Sequence, residues 1–516
     1  MTAHSLAWLL LASLCLFAAA AASSFSKQPH PNSKLRVCQV LIVHRHGDRT
    51  PITPLKNEDY WQSTLPERHV LEGIARGTTL IRPPTHSESG SGSTPKHHAA
   101  RGRGPFGQLT MMGLLQMIRL GERLRTELSH HDDDHDHSNE DSQFVNQGKL
   151  FTPHQPLHPS RIKVMSTDFP RTIQSVQAVL TGLFPENGNK KNEIQNIEDD
   201  EVQQPITIDL QHTNSYFIPD PQPRQYMDQL ELESHLSKRP HLIERDEELQ
   251  HLAQRISEAL DEHLGEGAHG VSFGIGEEKS DQALQQHEQQ RKPLAWAQLC
   301  EILVCLQSHA LLPPSLSHED VEAVSNHVAW RWFENLRHPV LAKSSMWKFA
   351  SSIVDTMQRK VQHDAALSTD EMKMGVVNTV QERESNSIED PWLCIYSAHD
   401  STLIGMLCVF QLEQPAAWPE YGSALKIELI REEEGQQSDA DNSIAVRQHW
   451  VRFSLNGQLL RSTWCLDDNN EPSSMVALNE LAEMIHAEHV LFEDDDKDDG
   501  STALRYSWKA GQLQKH

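Results

Sequence analysis

The sequence predicts an α/β protein: a three-layer sandwich with a mostly parallel central sheet and an inserted, mainly helical cap domain. Three observations predict it. Residues 36–43 (RVCQVLIV), 161–166 (RIKVMS) and 392–397 (WLCIYS) are short, nearly continuous apolar runs, as expected of strands covered on both faces. A polar turn and an apolar pattern at helical spacing follow the second and third of these runs, the alternation that builds a layered sheet. The stretch between them, from about 185 to 390, has little strand character.

The elements follow in order. Residues 5–22 (SLAWLLLASLCLFAAAAA) form the one long apolar run, ending in small residues suited to cleavage near Ala22. No Lys or Arg precedes it, so an uncleaved anchor is the rival reading, although the run is short of the roughly 20 residues a membrane helix prefers. Either reading sends the chain into the secretory pathway. After the first strand, Leu109, Met112, Met117, Leu120 and Leu124 mark an amphipathic helix, and the polar loop 83–107 precedes it. Ile173, Val176, Leu180 and Leu183 mark the helix after the second strand. Helices are expected at 243–264, 294–311, 317–337 and 344–361, separated by polar stretches such as 187–204 and 265–281. Leu403, Met406 and Phe410 mark the helix after the third strand. Residues 424–430 and 450–455 alternate as antiparallel strands at a sheet edge, the second leading into the hairpin turn Asn456-Gly457. A last helix is expected over 475–485. The resulting division is a leader or anchor at 1–22, an α/β core at 36–185 and 391–490, a helical cap at 186–390 and an acidic, flexible tail at 491–516.

Composition removes several function classes. Lys and Arg total 46 against 72 Asp and Glu, a net charge of −26, which disfavours nucleic acid as a partner. Without a second long apolar run, no polytopic membrane protein is possible, and no membrane span is expected once the leader is cleaved. Beyond Cys15 in the leader, Cys38, Cys300, Cys305, Cys394, Cys408 and Cys465 permit up to three disulfides in an oxidising compartment. Cys38 and Cys394, inside strand-like runs, could equally be buried thiols. The run 130–137 (HHDDDHDH) lacks the fixed geometry of a metal site and reads as a solvated loop. Neither oligomeric state nor natural substrate is legible.

One constellation carries chemistry. The first strand ends in His44-Arg45-His46-Gly47-Asp48-Arg49-Thr50-Pro51, the second in Ser166-Thr167-Asp168-Phe169-Pro170-Arg171-Thr172, the third in Ser397-Ala398-His399-Asp400-Ser401-Thr402. If the three strands are parallel, these turns share one sheet edge, where open α/β sheets bind ligands and helix N-termini add amide donors. Arginine forks match phosphoryl oxygens and cannot lose their charge. A neutral imidazole among them could attack phosphorus, and a carboxylic acid could protonate the departing alkoxide. The plainer alternative is that each arginine merely pairs with Asp48, Asp168 or Asp400.

At these residues the sequence resembles the acid-phosphatase branch of the histidine phosphatase superfamily, whose hallmark is Arg-His-Gly-x-Arg-x-Pro. Residues 45–51 carry it in full, 166–172 match the Ser-Thr-Asp-x-x-Arg-Thr motif, and His399-Asp400 match the later His-Asp pair. Gly107-Gln108-Leu109-Thr110 with Gly113, Gln116 and Gly121, and the run 182–185 (GLFP), are similar too. The resemblance implies a secreted or luminal acid phosphatase acting on a small-molecule phosphomonoester, in the extracellular space or a lysosome or vacuole. His46 would become a phosphohistidine, and Asp400 would donate the proton. Arg45, Arg49, Arg171 and His399 would bind the phosphate, with no cofactor and no metal. Pro170 departs from the pattern just where a helix must start. The alternative is a catalytically silent anion-binding or receptor-like protein on the same fold.

Overall fold

The structure is a computed structural model. It describes residues 28–29, 33–82, 104–129, 150–151, 157–185, 205–211, 232, 234, 236–270, 293–373, 391–413, 417–433, 448–467, 469–487, 489–493, 505–509 and 512–515. The leader, the run 130–137 and most of loop 83–107 lie outside the described residues.

Strand β1 (Lys34–Arg45) runs through the middle of the main sheet, fully buried from Val40 onward. Its side chains alternate: Leu41 and Val43 enter one core cluster, Val40 and Ile42 the other. Beside it lie β2 (Thr78–Ile81), β3 (Ile162–Thr167), β4 (Ile206–Gln211), β5 (Leu393–Ala398), β6 (Ala424–Glu433), β7 (His449–Leu455), β8 (Gln458–Leu460) and β9 (Met475–Ala477). The spatial order is β2-β4-β3-β5-β1-β6-β7-β8, with β9 also paired to β7. From β2 to β1 every pairing is parallel; from β1 to β8 every pairing is antiparallel.

Ten α-helices are described: α1 (Glu58–Ser63), α2 (Arg68–Ala75), α3 (Met111–Leu128), α4 (Pro170–Leu183), α5 (Pro240–Asp261), α6 (Trp296–Ser308), α7 (His318–Leu336), α8 (Pro339–Lys373), α9 (Asp400–Val409) and α10 (Leu478–His486). Residues of α3 and α4 cover one face of the sheet, and those of α8, α9 and α10 the other. The three-layer sandwich is therefore present. A third cluster, with Trp61 of α1 and the inward faces of α5, α6 and α7, makes the cap.

Several expectations need correction. Residues 206–211 fall inside the stretch assigned to the cap but form β4 of the central sheet. Their alternation (Ile206, Ile208 and Leu210 buried) is one short signal between long polar tracts. Helix α8 starts at Pro339 and packs Met346, Phe349, Ile353 and Met357 on the core sheet. It is a core layer rather than cap. Residues 475–477 pair with β7 before α10 begins, so the final helix starts later than its apolar pattern suggests. Strand β6 sits beside β1, and β8 forms the edge. The tail contains β10 (His489–Glu493), β11 (Arg505–Lys509) and β12 (Gln512–Lys515) in a separate antiparallel sheet. The acidic run 494–500 lies outside the described residues, and the strand-forming sequence beyond it (RYSWK) outweighs the tail's overall charge. Cys38, Cys300 and Cys305 are thiols, so the three-disulfide arrangement is not formed. Among the described residues no helix is long and apolar enough to cross a membrane.

Candidate active site

Strand β5 lies between β1 and β3 and is parallel to both, with Arg45 level with Ala398 and Ser166 level with Ser397. Three strand ends therefore reach the same edge, and the backbone N–H of His46 bonds to the Ala398 carbonyl at 3.2 Å. The turn after β1 runs against the first turn of α3. A Cβ on Gly47 would stand 2.3 Å from the Gly113 carbonyl oxygen, and one on Gly113 would stand 2.0 Å from that of Asp48. Only two glycines permit this approach. The Thr110 side chain caps α3 and also donates to Asp48 at 2.6 Å, while Gln116 accepts from the Asp48 backbone N–H at 2.8 Å. The Gln-Leu-Thr…Gly…Gln pattern thus holds the histidine turn in place.

Pro170 leaves the start of α4 intact. It occupies the first helical turn, where its missing N–H and fixed φ are tolerated. Arg171 follows it, buried, its guanidinium 4.7 Å from the Phe169 ring centre. His399 is the N-cap residue of α9 and Asp400 lies in its first turn, where a carboxylate suits the helix dipole and the Ser401 N–H donates to Oδ1 at 2.8 Å.

His46 is 2% exposed, and its Nδ1 lies 2.8 Å from the Gly47 carbonyl oxygen. A carbonyl only accepts, so Nδ1 carries the proton and Nε2 carries the lone pair. The rings of His46 and His399 stand 5.6 Å apart, edge to face. A hydroxyl chain fixes His399 in turn. Thr172 donates to the carbonyls of Thr167 and Phe169, Thr167 donates to Thr172, and the Thr167 oxygen therefore accepts from His399 Nε2 at 3.1 Å. Burial, followed by the Arg171 and Arg45 charges, holds His46 well below the usual imidazole range. Burial and Arg171 do the same to His399, against a smaller opposing pull from Asp400. Both rings are therefore neutral at pH 7.

The arginines have distinct partners. Arg45 bonds to Asp400 Oδ2 at 2.8 Å and to the Pro419 carbonyl at 2.5 Å, and lies 4.1 Å over the Tyr421 ring. Arg49 Nη1 bonds to Glu301 at 2.8 Å and the Thr50 carbonyl at 3.0 Å. Among the described residues, the buried Nε atoms of Arg45 and Arg49 have no acceptor. Arg171 reaches the Gly107 carbonyl at 3.4 Å; burial and the nearby Arg49 charge lower it to about 9, which leaves it charged. Simple pairing with the neighbouring aspartates holds for Arg45. It fails for Asp48, whose carboxylate takes Thr110, Ser308 and His309 instead. Burial works to raise Asp400, but the Arg45, His399 and Arg49 charges and the Ser401 N–H together outweigh it, and the group ends below the ordinary carboxylate range.

All six sequence-assigned residues, Arg45, His46, Arg49, Arg171, His399 and Asp400, lie on this one edge. Three contributors were missed. Glu301 is a lone carboxylate in the apolar helix α6, which was itself a signal. Trp418, which donates to Asp400 Oδ2 at 3.2 Å, and Tyr421 sit in the irregular segment before β6, where no periodicity marks them.

A sequence model of the histidine phosphatase superfamily (branch 2) matches residues 36–456. The chain belongs to that superfamily. It is a phosphoric monoester hydrolase of the histidine acid phosphatase type. Counting factor 60 of Dictyostelium discoideum is 24% identical over 86% of each chain. The lysosomal acid phosphatase of Bos taurus is 25% identical over 79% of this chain and 71% of its own. Lysophosphatidic acid phosphatase type 6 of Bos taurus is 30% identical, over 31% of this chain and 33% of its own. Among solved structures, the phytase from Citrobacter braakii covers 88% of this histidine phosphatase, and 98% of its own chain, at 14% identity and a TM-score of 0.45.

Proposed function

We propose that this histidine phosphatase hydrolyses phosphomonoesters through a covalent phosphohistidine on His46, with Asp400 as the proton donor. The observation that carries the reading is the His46 tautomer. With Nδ1 tied to the Gly47 carbonyl and the ring held well below the usual imidazole range by burial and then by the surrounding guanidinium groups, Nε2 carries a free lone pair and can act as the nucleophile.

Arg45, Arg49 and Arg171 bind the phosphoryl oxygens, the Nε donors of Arg45 and Arg49 having no other acceptor among the described residues, and His399 joins them by turning its Nε2–H from Thr167 to a phosphoryl oxygen. Nε2 attacks phosphorus, the ester P–O bond breaks, and the leaving oxygen takes the proton of Asp400. In the resting site Asp400 is ionised, paired with Arg45. An incoming phosphate competes for Arg45 and brings negative charge beside the carboxylate. Both effects raise its pKa, so that it takes up a proton before transfer. Water then attacks the phosphohistidine and returns its proton to Asp400, and the N–P bond breaks to release inorganic phosphate.

The lysosomal acid phosphatases among the relatives support an acidic lumen of the secretory pathway, or the extracellular space, as the place of action. The test is turnover of p-nitrophenyl phosphate at acid pH, with and without EDTA, together with trapping of the phosphorylated chain in alkali. Activity is expected to survive EDTA, and His46→Ala is expected to lose about 10⁴-fold or more along with the trapped label. Turnover unchanged in His46→Ala sinks the mechanism. A wild-type chain that binds phosphate without turnover would establish the catalytically silent alternative.

A further inference from the structure

We propose that Glu301, on cap helix α6, is a built-in electrostatic counterweight that limits how tightly the pocket holds phosphate and so sets product release. The inference rests on the phosphate pocket described above.

Asp400 bonds to Arg45 and Glu301 to Arg49, and the two carboxylates differ in kind. The Asp400 side chain is 21% exposed and pairs with Arg45 where a substrate oxygen can replace it. The Glu301 side chain is 5% exposed and cannot be exchanged in that way. Its Oε1 accepts from Arg49 Nη1 and from the Ile52 N–H, and Oε2 accepts from the Thr53 N–H. Glu301 is therefore built into the wall. When substrate displaces Asp400 from Arg45, Glu301 still neutralises one guanidinium charge.

The same helix grips the turn a second time, through Ser308 and His309 on Asp48. Since α6 belongs to the cap, the cap reaches the chemistry through charge as well as shape. The residue acts through Arg49 and touches no reacting atom, so it is not itself catalytic. Without its charge, Arg45 and Arg49, whose charges cannot be switched off, would face a product dianion with less negative charge opposing them.

Glu301→Gln isolates the charge, because the amide oxygen can still accept from Arg49 and Ile52. Calorimetry with inorganic phosphate, on chains whose circular dichroism matches wild type, is the decisive measurement. Phosphate is expected to bind about tenfold tighter to Glu301→Gln, a modest share of the attraction between unit charges at such range. Its inhibition of p-nitrophenyl phosphate turnover is expected to strengthen in step, with kcat falling more than kcat/KM. Unchanged or weaker phosphate binding overturns the proposal, weaker binding showing that Glu301 only aligns Arg49. Should the glutamine variant not fold, Glu301→Asp keeps the charge, and its phosphate affinity is expected within about twofold of wild type. Tenfold tightening there also overturns the idea. The binding measurement needs no turnover, so failure of the phosphohistidine chemistry in His46→Ala is read separately.

Discussion

At the scale of single residues, the two imidazoles and the carboxylate divide their tasks by environment. His46 is kept neutral by burial and positive neighbours, and its one N–H is fixed on a carbonyl. Asp400 meets the same arginines with the opposite result, since cations stabilise its charged form against the burial that opposes it. Asp400→Asn keeps the side chain's shape and an oxygen acceptor but can neither give nor take the proton. For alkyl phosphates, whose alkoxide leaving groups need that proton, phosphorylation is expected to slow by about 10²–10⁴-fold. For p-nitrophenyl phosphate the loss should be much smaller, because the departing phenolate is stable without it. Rapid-quench measurement of the phosphoenzyme with both substrates checks this, and equal losses contradict a proton donor at Asp400.

At the scale of elements, close backbone approach decides where the pocket forms. Gly47 and Gly113 let the turn after β1 lie directly on α3, and Gly121 and Gly182 do the same between α3 and α4. A Cβ on either of that second pair would stand 2.1 Å from a backbone oxygen of the other helix. The helix that delivers Arg171 is thereby held against the helix that braces Asp48. Gly113→Ala forces backbone apart and is expected to cost about 3 kcal/mol or more, with activity lost as His46 moves. Gly73→Ala, on α2, meets nothing within 4 Å and is expected to gain about 0.5–1 kcal/mol from helix propensity. Urea unfolding of the two variants checks both signs; similar stabilities would show that the contact at Gly113 yields without cost.

Across the whole molecule, the buried histidines make stability depend on pH. His44 is fully buried, and burial lowers it to about 4, while His46 and His399 also fall well below 6.5. All three are depressed in the fold, so below pH 6.5 the unfolded chain binds protons that the folded chain refuses. Their contribution is therefore complete above about pH 6.5 and is lost as pH falls toward the folded values. Each histidine contributes a slope of about 1.4 kcal/mol per pH unit within that window. His44 lies outside the phosphate contacts, so comparing His44→Gln with wild type isolates one of them. The urea-derived stability of wild type is expected to fall more steeply between pH 6.5 and 4, by about that slope, and identical slopes would contradict a neutral buried His44. An enzyme working in acid gains correspondingly from bound phosphate, which stabilises the folded state by mass action.

The sequence alone determined the three strand ends and the residues they carry, because buried parallel strands are written as unbroken apolar runs and their turns as dense polar motifs. It also determined the cap helices α5, α6 and α7, whose apolar faces recur at 3.6-residue spacing. Strand β4 and the core role of α8 were settled only in three dimensions. A strand needs partners to be stable, and an apolar helical face does not say which surface it will cover. The same holds for Glu301, Trp418 and Tyr421. Nothing local marks a carboxylate on one helix as the partner of an arginine some 250 residues earlier, since that pairing arises only when the cap closes on the sheet.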